Sequence, residues 1–238
     1  MGEREFERVL EQGRQLQARL TTLSPVVVGG TAAALHCSHR YSLDIDAVTP
    51  HLAAQYEEVV ANLEAWERWH TNRLTPRVLI LGEREEVELG VRQQRRAVPI
   101  RVSLRRGLAV PTAPETLRIK AFVLGERRAL RDFVDVAALT DNLGVDRALT
   151  ALRYLNAVYA PVPGLTWTSR FAEACEGDPV DLREVELSAY RGLRAPYTDW
   201  AYVAGRCRDL GRSLIKEELT MALPTSPDAG FEGEQEKS

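Results

Sequence analysis

The chain has only three cysteines, Cys37, Cys175 and Cys207, and they stand far apart. Such spacing offers no disulfide framework and is expected of a reducing, cytoplasmic setting. Four histidines without paired cysteines leave no spacing for a structural zinc. No apolar run approaches the roughly 18 residues of a membrane helix, so no membrane association is expected. The opening segment MGEREFERVLEQGRQLQ is charged from the start, unlike a signal peptide. Neither G-x-x-x-x-G-K-[ST] nor G-x-G-x-x-G occurs, which removes the P-loop and the dinucleotide fold. No internal repeat is found. What remains is a globular profile of 238 residues, 45% hydrophobic and 27% charged, with enough apolar material for a real core in one or two domains.

A basic excess is also missing, since the formal net charge is -3. Its distribution changes that reading. Residues 225–238 carry four acids and one lysine and so hold the whole deficit, and they are expected to form a disordered acidic tail. Residues 73–131 carry 14 Lys/Arg against 6 Asp/Glu. A basic stretch inside an acidic protein is either ordinary surface arginine or a footprint for an anionic partner such as RNA.

Apolar spacing predicts a helix over 3–20, which Gly13 weakens. Val26–Val28 is a short buried strand. Gly29-Gly30 is read as a tight turn, with Thr31 capping a helix over AAALHCSH. Tyr41–Val48 is a strand, with Ser42, Asp44 and Asp46 on one face and Leu43 and Ile45 on the other. A helix over 52–69 ends in Trp66 and Trp69, which anchor it to the sheet. Strands are expected over 77–81, 87–91 and 100–108, and helices over 115–124, 130–143, 147–160 and 179–223. The stretch PVPGLTWTS is read as loop. The pattern is α+β: a mixed sheet flanked by helices, then a helical part, with Pro-Thr-Ala-Pro at 111–114 between them.

Asp44 and Asp46 form the sharpest local feature. Two acids at i and i+2 on a strand share a side, and burying them unpartnered is costly. Mg²⁺ (or Mn²⁺) resolves that conflict, because it takes hard oxygen ligands from one or two carboxylates plus phosphate. The bland alternative is two surface acids at a strand end. Upstream, Gly29, Gly30 and Thr31 open a helix whose free N–H groups make a natural phosphate site. Together these elements supply a phosphate cradle and metal ligands for nucleotidyl transfer. Between them lie Arg40, able to reach phosphate bidentately, and His39, read as a local structural residue. A second cluster surrounds Lys120, either solvent-facing or aimed at a triphosphate. Asp132 and Asp135 are near on a helix. Helical spacing offers Arg128 and Arg131 as their partners in an Arg/Asp network, the alternative to a role in the site. Tyr190, Tyr197, Trp200 and Tyr202 either line a binding face or pack helices.

Two segments, VVVGGTAAALHCSHRYSLDID and TLRIKAFVLGERRALRDFVDVAAL, resemble the AbiEii/AbiGii-toxin-like nucleotidyltransferases, with the DNA polymerase β type nucleotidyltransferase fold. The resemblance covers most of 26–143. It implies a catalytic domain over 1–110 and a helical domain over 111–224 that completes the active site. It further implies a nucleotide-phosphate motif at Gly29, Gly30 and Thr31, with Arg40 and Ser42 in the pattern before the acid pair. Asp44 and Asp46 become metal ligands, Lys120 the nucleotide-contacting lysine, Asp135 a late acid shaping the site and Asp132 a supporting one. The third carboxylate of such sites is sought in Glu86 or Glu88, with Glu88 chosen for its place inside a strand. The implied activity moves an NMP from an NTP to an acceptor, with RNA such as tRNA, a protein or a small molecule as acceptor. The implied setting is a toxin with a cognate antitoxin. The competing readings are a non-catalytic RNA- or protein-binding module and an antibiotic-type nucleotidyltransferase.

Overall fold

A computed structural model describes residues 2–220 apart from 97, 161, 162 and 165. The expected acidic tail from 225 lies outside the described residues. Helix α1 (Gly2–Arg19) precedes β1 (Val26–Val28), α2 (Gly29–Cys37), β2 (Asp44–Thr49) and α3 (Tyr56–Glu64). Then come β3 (His70–Thr75), β4 (Leu79–Arg84), β5 (Val87–Gln93) and the hairpin of β6 (Val102–Arg105) and β7 (Leu108–Pro111). Helices α4 (Ala113–Arg127), α5 (Leu130–Leu143), α6 (Val145–Leu152), α7 (Leu155–Val158), α8 (Trp167–Glu176) and α9 (Trp200–Thr220) complete the chain.

The main sheet runs β1-β2-β5-β4-β3 and is mixed: β2 and β5 pair in parallel, the other neighbours antiparallel. Alternation decides its two faces. Ile45, Ala47, Val87, Leu89 and Val91 are buried in one apolar cluster with α1 and α3, whereas Asp44, Asp46, Glu88 and Arg92 take the opposite positions. Gly13 stays inside α1 for a packing reason. A side chain there would come within 2.9 Å of Ile45 Cδ1 and 3.1 Å of Leu108 Cδ2, so only glycine lets the helix lie this close to the sheet.

A second apolar cluster joins α4, α5, α6, α8 and α9 around Phe133, Phe171 and Leu117. Helix α2 belongs to both clusters: Ala32 and Ala34 face the sheet and Ala33 faces the helices. Its small residues allow close packing on two sides, which is why it carries no polar stripe.

Several expectations need correction. Helix α2 begins at Gly29 itself, and Thr31 makes no cap. Strand β2 begins at Asp44, so Leu43 precedes the pairing and is 43% exposed rather than buried beside Ile45. Helix α3 ends at Glu64, before the tryptophans. Trp66 and Trp69 stack at 6.1 Å, and Trp69 lies over Gly82 of β4, so they do anchor the helix end to the sheet. Strand β3, largely exposed at the sheet edge, has no apolar alternation to betray it. The segment 100–108 is one arm of a hairpin turning at Arg106-Gly107. Helix α4 runs through Gly125 to Arg127. Helix α8 starts at Trp167, within the expected loop. Residues 177–199 are mostly turns, with breakers at Pro179, Gly192 and Pro196, so α9 starts only at Trp200. That segment is still held: the Asp181 carboxylate accepts from Leu130 N at 2.7 Å and caps α5 from a distance.

The basic stretch also looks different in three dimensions. Arg96, Arg118 and Lys120 are buried rather than displayed, and Glu115 sits between Arg96 and Arg118 as their shared partner.

Candidate active site

The parallel pairing of β2 with β5 builds the acidic side of the site. Asp44 lies opposite Glu88 and Asp46 opposite Gly90. The Asp46 carboxylate leans over Gly90, where a side chain would come within 2.9 Å of its Oδ1. Ser42 Oγ donates to Asp44 Oδ1 at 2.7 Å, and Thr31 Oγ1 donates to the Asp44 carbonyl at 2.7 Å. Thr31 therefore positions the strand from below rather than offering a hydroxyl to the opening. Arg92 Nε reaches Asp46 Oδ1 at 3.0 Å, and both side chains are partly exposed. An exposed pair of this kind is worth about 0–1 kcal/mol, little enough for a ligand to displace it.

The first turn of α2 brings Gly29, with φ of +70°, and Gly30 against these acids. A methyl group at Gly30 would meet Arg40 Nη2 at 2.6 Å and Ser42 Oγ at 2.8 Å. Arg40 is pinned and has no room to swing aside. Gly30→Ala is therefore expected to cost about 1–3 kcal/mol, the scale of overpacking. Unchanged urea unfolding would show that Arg40 is free to move.

Behind the opening lies a buried charged network. Arg40 grips Asp135 with both ends of its fork, Nε to Oδ1 at 2.8 Å and Nη2 to Oδ2 at 2.9 Å. Lys120 Nζ stands 2.6 Å from Asp135 Oδ2 and 3.1 Å from Asp132 Oδ1. Arg127 Nε adds a contact of 2.7 Å to Asp132 Oδ2. Both acids are fully buried. The partners are thus not the Arg128 and Arg131 expected from helical spacing. Arg128 caps α4 and lies outside α5, and Asp135 points into the core while Arg131 faces the opening. Burial alone would raise the Asp135 carboxyl, but Arg40 and Lys120 outweigh it and hold the group well below the usual carboxylate range. Asp132 is likewise held low: Lys120 and Arg127 outweigh the effect of burial.

His39 is buried with its Nε2 2.8 Å from Asp135 Oδ1, and its Nδ1 has no hydrogen-bond partner among the described residues. Burial lowers its pKa, against the pull of Asp135. The folded state thus favours the neutral ring, with Nε2–H donating. These shifts fix the sign of the pH dependence. A depressed histidine stabilises fully above its ordinary value of about 6.5 and loses that contribution as pH falls below it. The depressed Asp132 and Asp135 stabilise above about pH 4 and lose their contribution as pH falls further. Urea midpoints should therefore be level from pH 8 to 7, decline towards pH 5, and drop again below pH 4. His39→Gln should remove the first decline. A wild-type midpoint that stayed level down to pH 5 would contradict the buried neutral ring.

One cleft of about 350 Å³ gathers most of the expected residues: Gly29, Gly30, Arg40, Ser42, Asp44, Asp46, Glu88 and Lys120 all line it. Thr31 and Asp135 do not; they stand behind the lining. The structure adds Arg127 and Arg131 from α4 and α5, and Ala189, Tyr190 and Arg191 from the 187–194 segment. That segment is tied across the opening. Tyr41 N donates to Arg191 O at 2.8 Å, Arg194 N donates to His39 O at 2.9 Å, and Arg191 pairs with Glu5 at 2.6 Å. Of the four aromatics in doubt, Tyr190 lines the cleft, with Arg40 lying 5.8 Å from its ring centre. Tyr197 and Tyr202 instead donate to Asp141, and Trp200 packs edge-on against Phe133. Glu86 turns away and pairs with Arg8. A larger cleft of about 490 Å³ between α8 and α9 is mostly apolar, and the Glu176–Arg212 pair on its wall is self-satisfied. The smaller cleft, which gathers the acids and the free helix end, is therefore the candidate site.

Asp44 and Asp46 fit a hard divalent cation, being two carboxylates side by side on one strand face in an open cleft. Among the described residues no three His, Cys, Asp or Glu groups converge on a metal position. The set that these residues fit is a carboxylate pair completed by phosphate oxygens and water, with Glu88 beside Asp44 on the neighbouring strand.

No family model matches the chain. A stretch of 113 residues, 46% of the chain, is 27% identical to the probable transport protein MmpL11 of Mycobacterium bovis and spans 11% of that protein. Nothing of transport carries over at such coverage, and among the described residues no helix is long and apolar enough to cross a membrane. Among solved structures, the antibiotic-resistance factor ANT(2'')-Ia matches with a TM-score of 0.47 at 12% identity, covering 66% of this chain and 94% of that one. MenT4, a nucleotidyltransferase toxin of Mycobacterium tuberculosis H37Rv, matches with a TM-score of 0.54 at 14% identity, covering 87% of this chain and 82% of that one. The mixed five-stranded sheet, the flanking helices and this match agree: the chain has the nucleotidyltransferase fold that the resemblance to AbiEii/AbiGii-toxin-like proteins implies.

Proposed function

We propose that the chain is a nucleotidyltransferase that moves an NMP from an NTP to an acceptor hydroxyl. The observation that carries this reading is one cleft lined both by acids and by bases. Strands β2 and β5 bring Asp44, Asp46 and Glu88 to it, helices α4 and α5 bring Lys120, Arg127 and Arg131, and Gly29 and Gly30 at the N-terminus of α2 line it as well. That combination suits a triphosphate with its divalent counterion. In the reaction the acceptor oxygen forms a bond to the α-phosphorus, the bond from that phosphorus to the bridging oxygen breaks, and pyrophosphate leaves. The acceptor's proton passes to solvent.

Asp44 and Asp46 would hold Mg²⁺ or Mn²⁺, and Glu88, which lines the cleft without converging on them, would have to turn towards the ion to serve as a third ligand; the ion would supply Lewis-acid activation of the acceptor oxygen. Ser42 and Thr31 keep Asp44 in place, so the acid pair is oriented before substrate arrives. Gly29 and Gly30 let phosphate approach backbone N–H groups, where the helix end favours negative charge. The basic side chains of the cleft offset the charge that collects on the departing pyrophosphate. Lys120 contributes from the cleft floor, held between Asp132 and Asp135.

The setting we favour is that of a toxin acting on RNA such as tRNA, neutralised by a cognate antitoxin. It is supported by the resemblance and by the description of MenT4 as a nucleotidyltransferase toxin. The test is incubation with Mg²⁺, each α-labelled NTP in turn, and total RNA or a cell extract. Label in RNA supports the full reading. Label in protein or in a small molecule keeps the transferase and replaces the acceptor. No label in any fraction, with NTP still bound, favours the binding module.

A further inference from the structure

Five cations line the cleft, and four of them are already committed. Arg40 is held bidentately by Asp135, Lys120 by Asp132 and Asp135, Arg127 by Asp132 and Arg191 by Glu5. Arg131 has no carboxylate partner among the described residues. It stands in the first turn of α5 and lines the cleft together with Tyr190. On the wall formed by Arg40, Lys120, Arg127 and Arg131, four cations face two carboxylates, so the wall carries an excess of positive charge.

We infer that Arg131 is the side chain that grips the triphosphate, and that Lys120 is a positioning residue which holds the two buried acids in place. The inference rests on the nucleotidyltransferase reading of the same cleft. Its physical basis is the difference between the two cations. For Lys120 to reach a phosphate it would have to leave both Asp132 and Asp135, giving up two buried ion pairs and leaving each acid to a single remaining cation, Arg127 and Arg40. Arg40 is bound in the same way. Arg127 is 44% exposed on its side chain, but its fork is taken up by Asp132. Arg131 gives up nothing, and its planar fork matches two phosphate oxygens at once. The NTP thereby supplies the counter-charge that the wall lacks.

The test compares binding of each Mg-NTP and the corresponding NMP to the whole protein, wild type against R131Q and R131K. Loss of a charge-assisted contact to phosphate is expected to weaken NTP binding roughly tenfold to hundredfold in R131Q. NMP binding should change by less than about threefold, because the monophosphate lacks the phosphates that Arg131 holds. R131K should fall between, keeping the charge without the fork. Thermal unfolding of R131Q should match the wild type, because no ion pair is lost. NTP binding as tight in R131Q as in the wild type overturns the inference and leaves the nucleotidyltransferase reading standing. Equal weakening for NTP and NMP overturns it as well, since Arg131 would then shape the site rather than hold phosphate. A wild type that binds no NTP at all overturns that reading itself, and the inference with it.

Discussion

An Asp135→Ala variant is expected to lose about 3–5 kcal/mol of stability, the cost of breaking a buried ion pair by removing one partner. Asp135 has no exposure, and it is the shared partner of Arg40, Lys120 and His39. Its removal leaves two buried cations facing one another with only Asp132 to offset them. Asp135→Asn should be nearly as damaging: it keeps the shape, loses the charge and places an amide donor against guanidinium and ammonium donors. A domain of this kind has about 5–15 kcal/mol in total, so soluble yield and urea unfolding are both sensitive readouts. Replacing the Arg40–Asp135 pair together by apolar residues of similar volume should recover part of the loss. A loss below about 1 kcal/mol in Asp135→Ala, the scale of an exposed pair, would mean that this network does not form.

The second acid pair should behave in the opposite way. Asp44→Ala and Asp46→Ala are each expected to lower nucleotidyl transfer by roughly 10²–10³-fold or more, the scale of losing one preorganised electrostatic contact. Stability should change by only about 0.5 kcal/mol, as for most surface positions. Asp46 is partly exposed and its ion-pair partner among the described residues, Arg92, is itself half open to water; the Asp44 carboxylate accepts from Ser42. Label-transfer rates and urea unfolding on the same preparations separate the two profiles. Transfer that persisted at wild-type rate in both variants would remove Asp44 and Asp46 from the chemistry, whatever the fold. In sequence, D-x-D and D-x-x-D are equally acidic motifs. Depth gives them different tasks, one at the cleft surface and one beneath it.

How much of this was legible beforehand follows from the range of the interactions involved. Helix α5 begins and ends where its pattern predicts, at Leu130 and Leu143, and β1 is the Val26–Val28 run itself. These elements are set by local periodicity and by nearby breakers. The shared face of Asp44 and Asp46 is equally local, because side chains alternate on a strand. The resemblance assigns Gly29, Gly30, Arg40, Ser42, Asp44, Asp46 and Lys120 to one site, and these residues line one cleft. Strand β3 leaves no trace in the spacing because an exposed edge strand has little apolar pattern, and the turns of 177–199 depend on distant anchors such as the hydrogen bond from Leu130 of α5 to Asp181.

By itself, then, the sequence determined the α+β class, the order of most elements and the acid pair on its strand face, all of which rest on spacing within a few residues. Only the tertiary structure decided who pairs with whom. It matched Asp135 to Arg40 from 95 residues away, brought Tyr190 and Arg191 over the opening, and left Arg131 uncommitted. A buried charge takes whichever partner desolvation forces upon it, and that partner is fixed by how the layers pack rather than by its distance along the chain.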